Sequence, residues 1–205
     1  MILLPLYNKL ARLVIRREDL PYIHLWSGAK FVHQWPLPED VFIEDIAHNL
    51  SKLCRYAGSI NKFYSVAEHS VRASYLWPTL HTLLHDAAEA YCVDIPRPLK
   101  RAPFMGVYRF YENLAWKEAI APRFGLDTEE PWSTKLADKK MLVTEKRDLF
   151  REEYRPCLAK IDDAEGIEPI PDKIDPWTPE QSEVAFLRRY AALGGFYASS
   201  DSRLT

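Results

Sequence analysis

Glycine is scarce in this chain, 7 of 205 residues, which argues against a sheet-rich fold with many tight turns. Cysteine is scarcer: Cys54, Cys92 and Cys157 are odd in number, far apart and in no Cys-x-x-Cys arrangement. They exclude a disulfide framework and a thiolate zinc site, and read as isolated thiols of a reducing compartment. Net charge is nearly absent as well, since 27 basic and 29 acidic residues leave a formal −2. Without a general cationic field, stable nucleic-acid binding is not expected, and any phosphate must be met by a few placed cations. No run reaches the roughly 18 apolar residues of a membrane span. Near the start Leu3, Leu4, Leu6, Leu10, Leu13 and Val14 are interrupted by Pro5, Asn8, Lys9 and Arg12, with basic residues following apolar ones. A secretion signal has the reverse order, so the expectation is a cytoplasmic protein, neither secreted nor membrane-spanning. Repeats and low-complexity tracts are absent too.

What is present, 47% hydrophobic and 27% charged residues, suits one well-buried domain over residues 1–205. The expected fold class is all-α: a helical bundle with an irregular N-terminal stretch and a C-terminal packing helix. Residues 2–15 allow an amphipathic packing helix. From Arg16 to Asp40 the prolines and Ser27-Gly28 imply irregular or weakly stranded chain, whose Tyr22, Trp26, Phe31 and Trp35 read as core cover or as base-stacking surface. A helix is expected from near Ile43 to before Gly58, with Glu44 and Asp45 at its dipole-favoured start. His48, Ser51 and Arg55 fall on one of its faces by spacing. A further helix is expected from about Tyr108 to Phe124, stopped by Pro122 and Gly125, with Ser133 or Thr134 capping the next. Residues 161–179 read as an extended wrap. Thr178, Pro179 and Gln181 then open a last helix, and residues 199–205 read as a frayed end.

The chemistry concentrates in two apolar segments separated by Pro78. The first, with stripe Val66, Val71 and Leu76, carries His69. The second, with stripe Leu80, Leu83, Leu84, Ala87, Ala88 and Tyr91, carries adjacent His85 and Asp86 and then Glu89. On one continuous helix Glu89 would share a face with both. Imidazole and carboxylate groups among leucines are costly unless paired or bound to a metal, and this donor set suits a borderline or hard divalent ion. Farther on, Asp138 sits one turn from Met141 and Leu142 on an otherwise apolar side.

His69 in its Glu-His-Ser setting, the pair His85-Asp86, and Lys135-Leu136-Ala137-Asp138 together resemble the HD-domain metal-dependent phosphohydrolases. Leu84-His85-Asp86-Ala87-Ala88-Glu89-Ala90 followed by Asp94-Ile95-Pro96-Arg97-Pro98-Leu99-Lys100 is similar to the branch holding bacterial 5'-deoxynucleotidases and phage dATP triphosphohydrolases. The similarity spans about residues 27–147, with residues 151–205 as a C-terminal extension outside it. The resemblance implies one divalent ion (manganese, cobalt, zinc or magnesium) held by His69, His85, Asp86 and Asp138, and a small-molecule nucleotide substrate. It gives Glu89 the handling of the attacking water and Asp94 the sugar. Arg55 reads as a phosphate grip or a surface ion pair, because a guanidinium fork matches two phosphate oxygens. Lys100 reads as a phosphate contact or a solvated amine, and His48 as an accessory cation.

The expected activity is hydrolysis of deoxynucleotides at the 5' phosphate, first as a 5'-deoxynucleotidase and alternatively as a triphosphohydrolase. Both attack the phosphorus next to the sugar, so the ligand cluster does not separate them. A regulatory module binding metal and nucleotide without turnover is the reading from another class; Glu89 speaks against it. A cyclic-dinucleotide phosphodiesterase fits less well, its motifs being absent. Related enzymes form dimers, and the apolar terminal helices permit a homodimer or higher homo-oligomer.

Overall fold

The computed structural model describes residues 3–154, 164 and 166–196; the end expected to fray, residues 199–205, lies outside them. The fold is mostly α, and among the described residues the one sheet is a two-stranded antiparallel hairpin. In chain order the elements are α1 (Leu3–Val14), β1 (Ile23–His24), β2 (Lys30–Phe31), α2 (Ile43–Lys52), α3 (Val66–Leu76), α4 (Leu80–Leu84) and α5 (Glu89–Cys92). They continue with α6 (Arg97–Lys100), α7 (Gly106–Leu114), α8 (Ala121–Phe124), α9 (Trp132–Leu149) and α10 (Pro179–Ala192). No described helix is long and apolar enough to cross a membrane.

Helix α3 is the centre, packed against α2, α4, α9 and α10. Ser65 caps it by accepting a hydrogen bond from the Glu68 amide at 3.0 Å, a contact of about 1 kcal/mol. Val66, Ala67, Ser70, Val71, Ala73 and Ser74 are buried, and these short side chains let four neighbours approach closely. Burying each larger apolar side chain contributes about 1.5–3 kcal/mol. The same burial obliges Glu68 and His69, fully enclosed on this helix, to find charged or hydrogen-bonding partners.

Several expected boundaries shift, each for a local reason. Helix α2 stops at Lys52, because Leu53 turns extended and Cys54 pairs antiparallel with Ser65. The Arg55 amide then donates to the Tyr64 carbonyl, and the Val66 amide to that of Leu53, both at 3.0 Å. Arg55 is thereby off the face of His48 and beside the start of α3. The segment 80–91 is not one helix: Ala87 donates to Leu84 and Glu89 to Asp86, tighter three-residue closures that separate α4 from α5. Pro122 does not end the helix expected around 108–124. Residues Ala115–Ile120 widen into π-helix just before it, which accommodates a ring that would otherwise meet the preceding turn, and the chain stops at left-handed Gly125.

Other details also differ. Helix α9 starts after Pro131, and the Thr134 hydroxyl is instead bonded to that of Thr82 at 3.0 Å. The apolar face of α1 does not pack: Leu6, Leu10, Leu13 and Val14 are exposed, while Asn8 and Arg12 tether the helix to the Gln34 carbonyl. The aromatics of the irregular stretch divide, Phe31 being buried and Trp26 half exposed. The Thr178–Gln181 capping box opens α10 as the sequence implied. Before it, residues 170–177 run as a strap over α9 and α3. Arg147 binds the carbonyls of Ile170 and Asp172, Asp148 accepts from the Ile174 amide, and Glu68 accepts from the Trp177 amide.

Candidate metal centre and its cavity

The shift of Arg55, the tight turn at His85 and Asp86, and the packing of α9 on α3 bring three separated stretches to one point. The Nε2 atoms of His69 and His85 lie 3.3 Å apart. Asp86 Oδ2 is 3.3 Å from His85 Nε2 and 3.8 Å from His69 Nε2. Asp138 Oδ1, on α9, is 3.3 Å from His69 Nε2 and 4.0 Å from His85 Nε2. One ligand atom each from His69, His85 and Asp86 lies within 4.8 Å of the other two, a group that could hold a metal ion.

The hydrogen bonds behind the rings test whether an ion fits. His69 Nδ1 is 2.5 Å from Glu145 Oε1, and His85 Nδ1 is 2.8 Å from the Thr82 carbonyl oxygen. Both partners accept, so each Nδ1 carries the proton and each neutral ring turns a lone pair at Nε2 toward the other. Two lone pairs and two carboxylates therefore meet, with Arg55 donating to Asp86 and Arg97 to Asp138 from outside the cluster, each at 3.4 Å. Such a set repels itself unless a cation or a proton sits inside it. Without an ion the proton does: burial and the Arg55 charge oppose it, but Glu145 and Asp138 lift the His69 pKa to about 9. Burial would raise both aspartates, yet the two imidazoles and Arg55 hold them below the usual carboxylate range.

Glu145 is fully buried beneath His69. Its Oε2 accepts from the Tyr56 hydroxyl at 2.6 Å and from Arg55 Nε at 3.2 Å. Burial works against its charge, but Arg55, His69 and Tyr56 keep its pKa near 2. Tyr56 and Ala57 reach these positions with φ of 58° and 51°, a left-handed backbone costing about 1–2 kcal/mol per residue. Arg55 Nη1 meets Asp86 Oδ2 at 3.4 Å, so one guanidinium steadies both a candidate ligand and the carboxylate behind another.

A cavity of about 540 Å³ opens from this point. Its lining mixes charged groups, Arg55, Asp86, Glu89, Asp94, Arg97, Arg109, Asp138 and Lys146, with the apolar or aromatic Tyr56, Ile95, Pro96, Leu142 and Phe150. Burial, then Asp86 and Asp94, push the Glu89 pKa well above the ordinary value. Its Oε2 is buried without a hydrogen-bond partner. Asp94 is raised too, chiefly by burial. A second recess of about 440 Å³ shares His85, Asp86 and Asp138, so the centre is accessible from more than one cavity.

Over 157 residues the chain is 39% identical to the uncharacterized protein YfdR of Escherichia coli K12, a match covering 74% of this chain and 86% of YfdR. The chain belongs to the YfdR family. A second uncharacterized protein, from Rhodobacter capsulatus, is 36% identical over 125 residues, 55% of this chain and 63% of its own length. No family model matches.

In this YfdR-family chain, His69, His85, Asp86 and Asp138 lie together, Arg55, Glu89 and Asp94 line the adjoining cavity, and two other expected site residues are placed differently. His48 is outside the cavity: α2 ends before Arg55, and the ring stacks on Trp26 with centroids 4.6 Å apart and faces Glu183 of α10. Lys100 lines the cavity with its amine bonded to Glu112 and 3.9 Å from Glu89. Sequence reasoning missed Glu145 and Tyr56. Glu145 had a legible signal: two helical turns after Asp138, it is a second acid on a stripe with Met141 and Leu142. Tyr56 had none.

Proposed function

We propose that the chain is an HD-domain, divalent-metal-dependent phosphohydrolase, most simply a 5'-deoxynucleotidase releasing phosphate from a deoxynucleoside monophosphate. The observation that carries the reading is the convergence of His69, His85, Asp86 and Asp138 beside a cavity that the two aspartates line. A phosphate suits the cations of the lining, and a base its Tyr56, Leu142 and Phe150. His69, His85, Asp86 and Asp138 would hold the ion. When bound, such an ion polarises a phosphate oxygen and makes a coordinated water more acidic.

The remaining work falls to side chains. Glu89 Oε2, buried and unpartnered in the cavity wall, is placed to accept a proton from the attacking water, and its raised pKa makes it a stronger base than a solvated carboxylate. Arg55, permanently charged and fixed by Glu145 and Asp86, offsets charge that develops on the phosphoryl oxygens. Asp94 accepts a sugar hydroxyl. The same cavity holds Arg97, paired with Asp138 at 3.4 Å, Arg109, bonded to the Lys100 and Ala102 carbonyls, and Lys146; that number of cations favours the second reading, a triphosphohydrolase acting at the same phosphorus. A binding module without turnover has no use for a base such as Glu89. Product analysis over deoxynucleoside mono-, di- and triphosphates with manganese, cobalt or zinc tests the proposal: inorganic phosphate from the monophosphate is expected, triphosphate release selects the second reading, and no product from any substrate refutes both.

A further inference from the structure

We infer that Glu145 is a positioning residue, fixing the His69 imidazole as the Nδ1–H tautomer so that its Nε2 lone pair faces the ion; the inference rests on the metal reading above. Three donors surround the buried carboxylate. Oε1 receives His69 Nδ1 at 2.5 Å, while Oε2 receives the Tyr56 hydroxyl and Arg55 Nε. An ionised carboxylate only accepts, so Nδ1 must donate. A neutral imidazole has one N–H, and Nε2 is left as a ligand.

His85 reaches the same state differently, through the Thr82 carbonyl, which no side-chain substitution removes. Only His69 depends on a side chain for its tautomer. Full burial of His69 and Glu145 means that no solvent stands ready to replace the lost acceptor. Helix α9 thus serves the centre twice, with Asp138 beside the ion position and Glu145 two turns on, behind a ring of α3.

The test uses Glu145→Gln, neutral and nearly isosteric. Arg55 and Tyr56 still require an oxygen opposite them, so the amide oxygen turns to them and its NH2 faces His69 Nδ1. That nitrogen must then accept, and the proton moves to Nε2, where it blocks the metal. In equilibrium dialysis with zinc alone, Glu145→Gln is expected to bind about 10–100-fold more weakly. Tyr56→Phe, which leaves the carboxylate in place, is expected to bind like the unaltered protein. Long-range proton–nitrogen correlation spectra of the unaltered zinc-loaded protein should show His69 protonated at Nδ1 and coordinated through Nε2, a readout that needs no variant to fold. Coordination through Nδ1, unchanged zinc affinity in Glu145→Gln, or an equal loss in Tyr56→Phe overturns the inference while leaving the metal centre standing. An unaltered protein that binds no zinc overturns both.

Discussion

The Nε2 atoms of His69 and His85 face each other across 3.3 Å, each with its ring proton committed on the far side to Glu145 or the Thr82 carbonyl. Facing acceptors of this kind are relieved by an ion, so ion binding should be visible as stability. At a hundredfold excess over the dissociation constant the gain is about 2.7 kcal/mol. For a chain of this size that is a rise in Tm of roughly 5–10 °C. Thermal unfolding with manganese or zinc, against the same protein after chelation, should show the rise, and Asp86→Ala should abolish it. An equal rise in Asp86→Ala would place the ion elsewhere.

Glu89 lines the cavity without contacting the imidazoles in any described hydrogen bond. Glu89→Gln should therefore keep metal stoichiometry and substrate affinity while kcat falls about 100-fold or more, the usual contribution of a general base. Steady-state kinetics beside metal analysis of the same preparation decide the matter. Unchanged kcat would remove Glu89 from the chemistry.

Arg55 is bonded to both Asp86 and Glu145. Arg55→Met leaves the wholly buried Glu145 without its guanidinium, and breaking a buried ion pair from one side costs about 3–5 kcal/mol. Urea unfolding should show the midpoint falling accordingly. Arg55→Lys should recover part of it, keeping the charge but not the fork that reaches two carboxylates. A midpoint unchanged in Arg55→Met would mean that Glu145 is held neutral.

The residues legible in the sequence were those whose chemistry contradicts their surroundings. His69, His85, Asp86 and Asp138 stand out because charged or imidazole groups interrupt apolar stripes, and the helical content followed from the same periodicity. Positions set by tertiary bonds were not legible. The helix expected through Arg55 ends early because Cys54 pairs with Ser65, a contact no local pattern announces, and that one break both removes His48 from the cavity and brings Arg55 to it. The interruption between α4 and α5 is equally silent, since Leu84 to Ala90 has no proline or glycine to mark it. Glu145 was readable by spacing, but a glutamate late in a charged helix looks like a solvated one until α3 is packed over it.

The strap over α3 and α9 gives a last separable prediction. Asp148, almost wholly buried, accepts from the Ile174 amide at 2.9 Å and receives Arg147 on both oxygens, while Arg147 also holds the Ile170 and Asp172 carbonyls. Asp148→Ala leaves the Ile174 amide without its acceptor and Arg147 without its anchor, at a cost of about 1–3 kcal/mol. Hydrogen exchange at Ile174 should accelerate and the unfolding midpoint should fall. Zinc affinity should stay as it was, because His69 is held from behind by Glu145 and not by the strap. A parallel loss of zinc binding would mean that the strap, through Glu68 and the start of α3, sets the position of the ring.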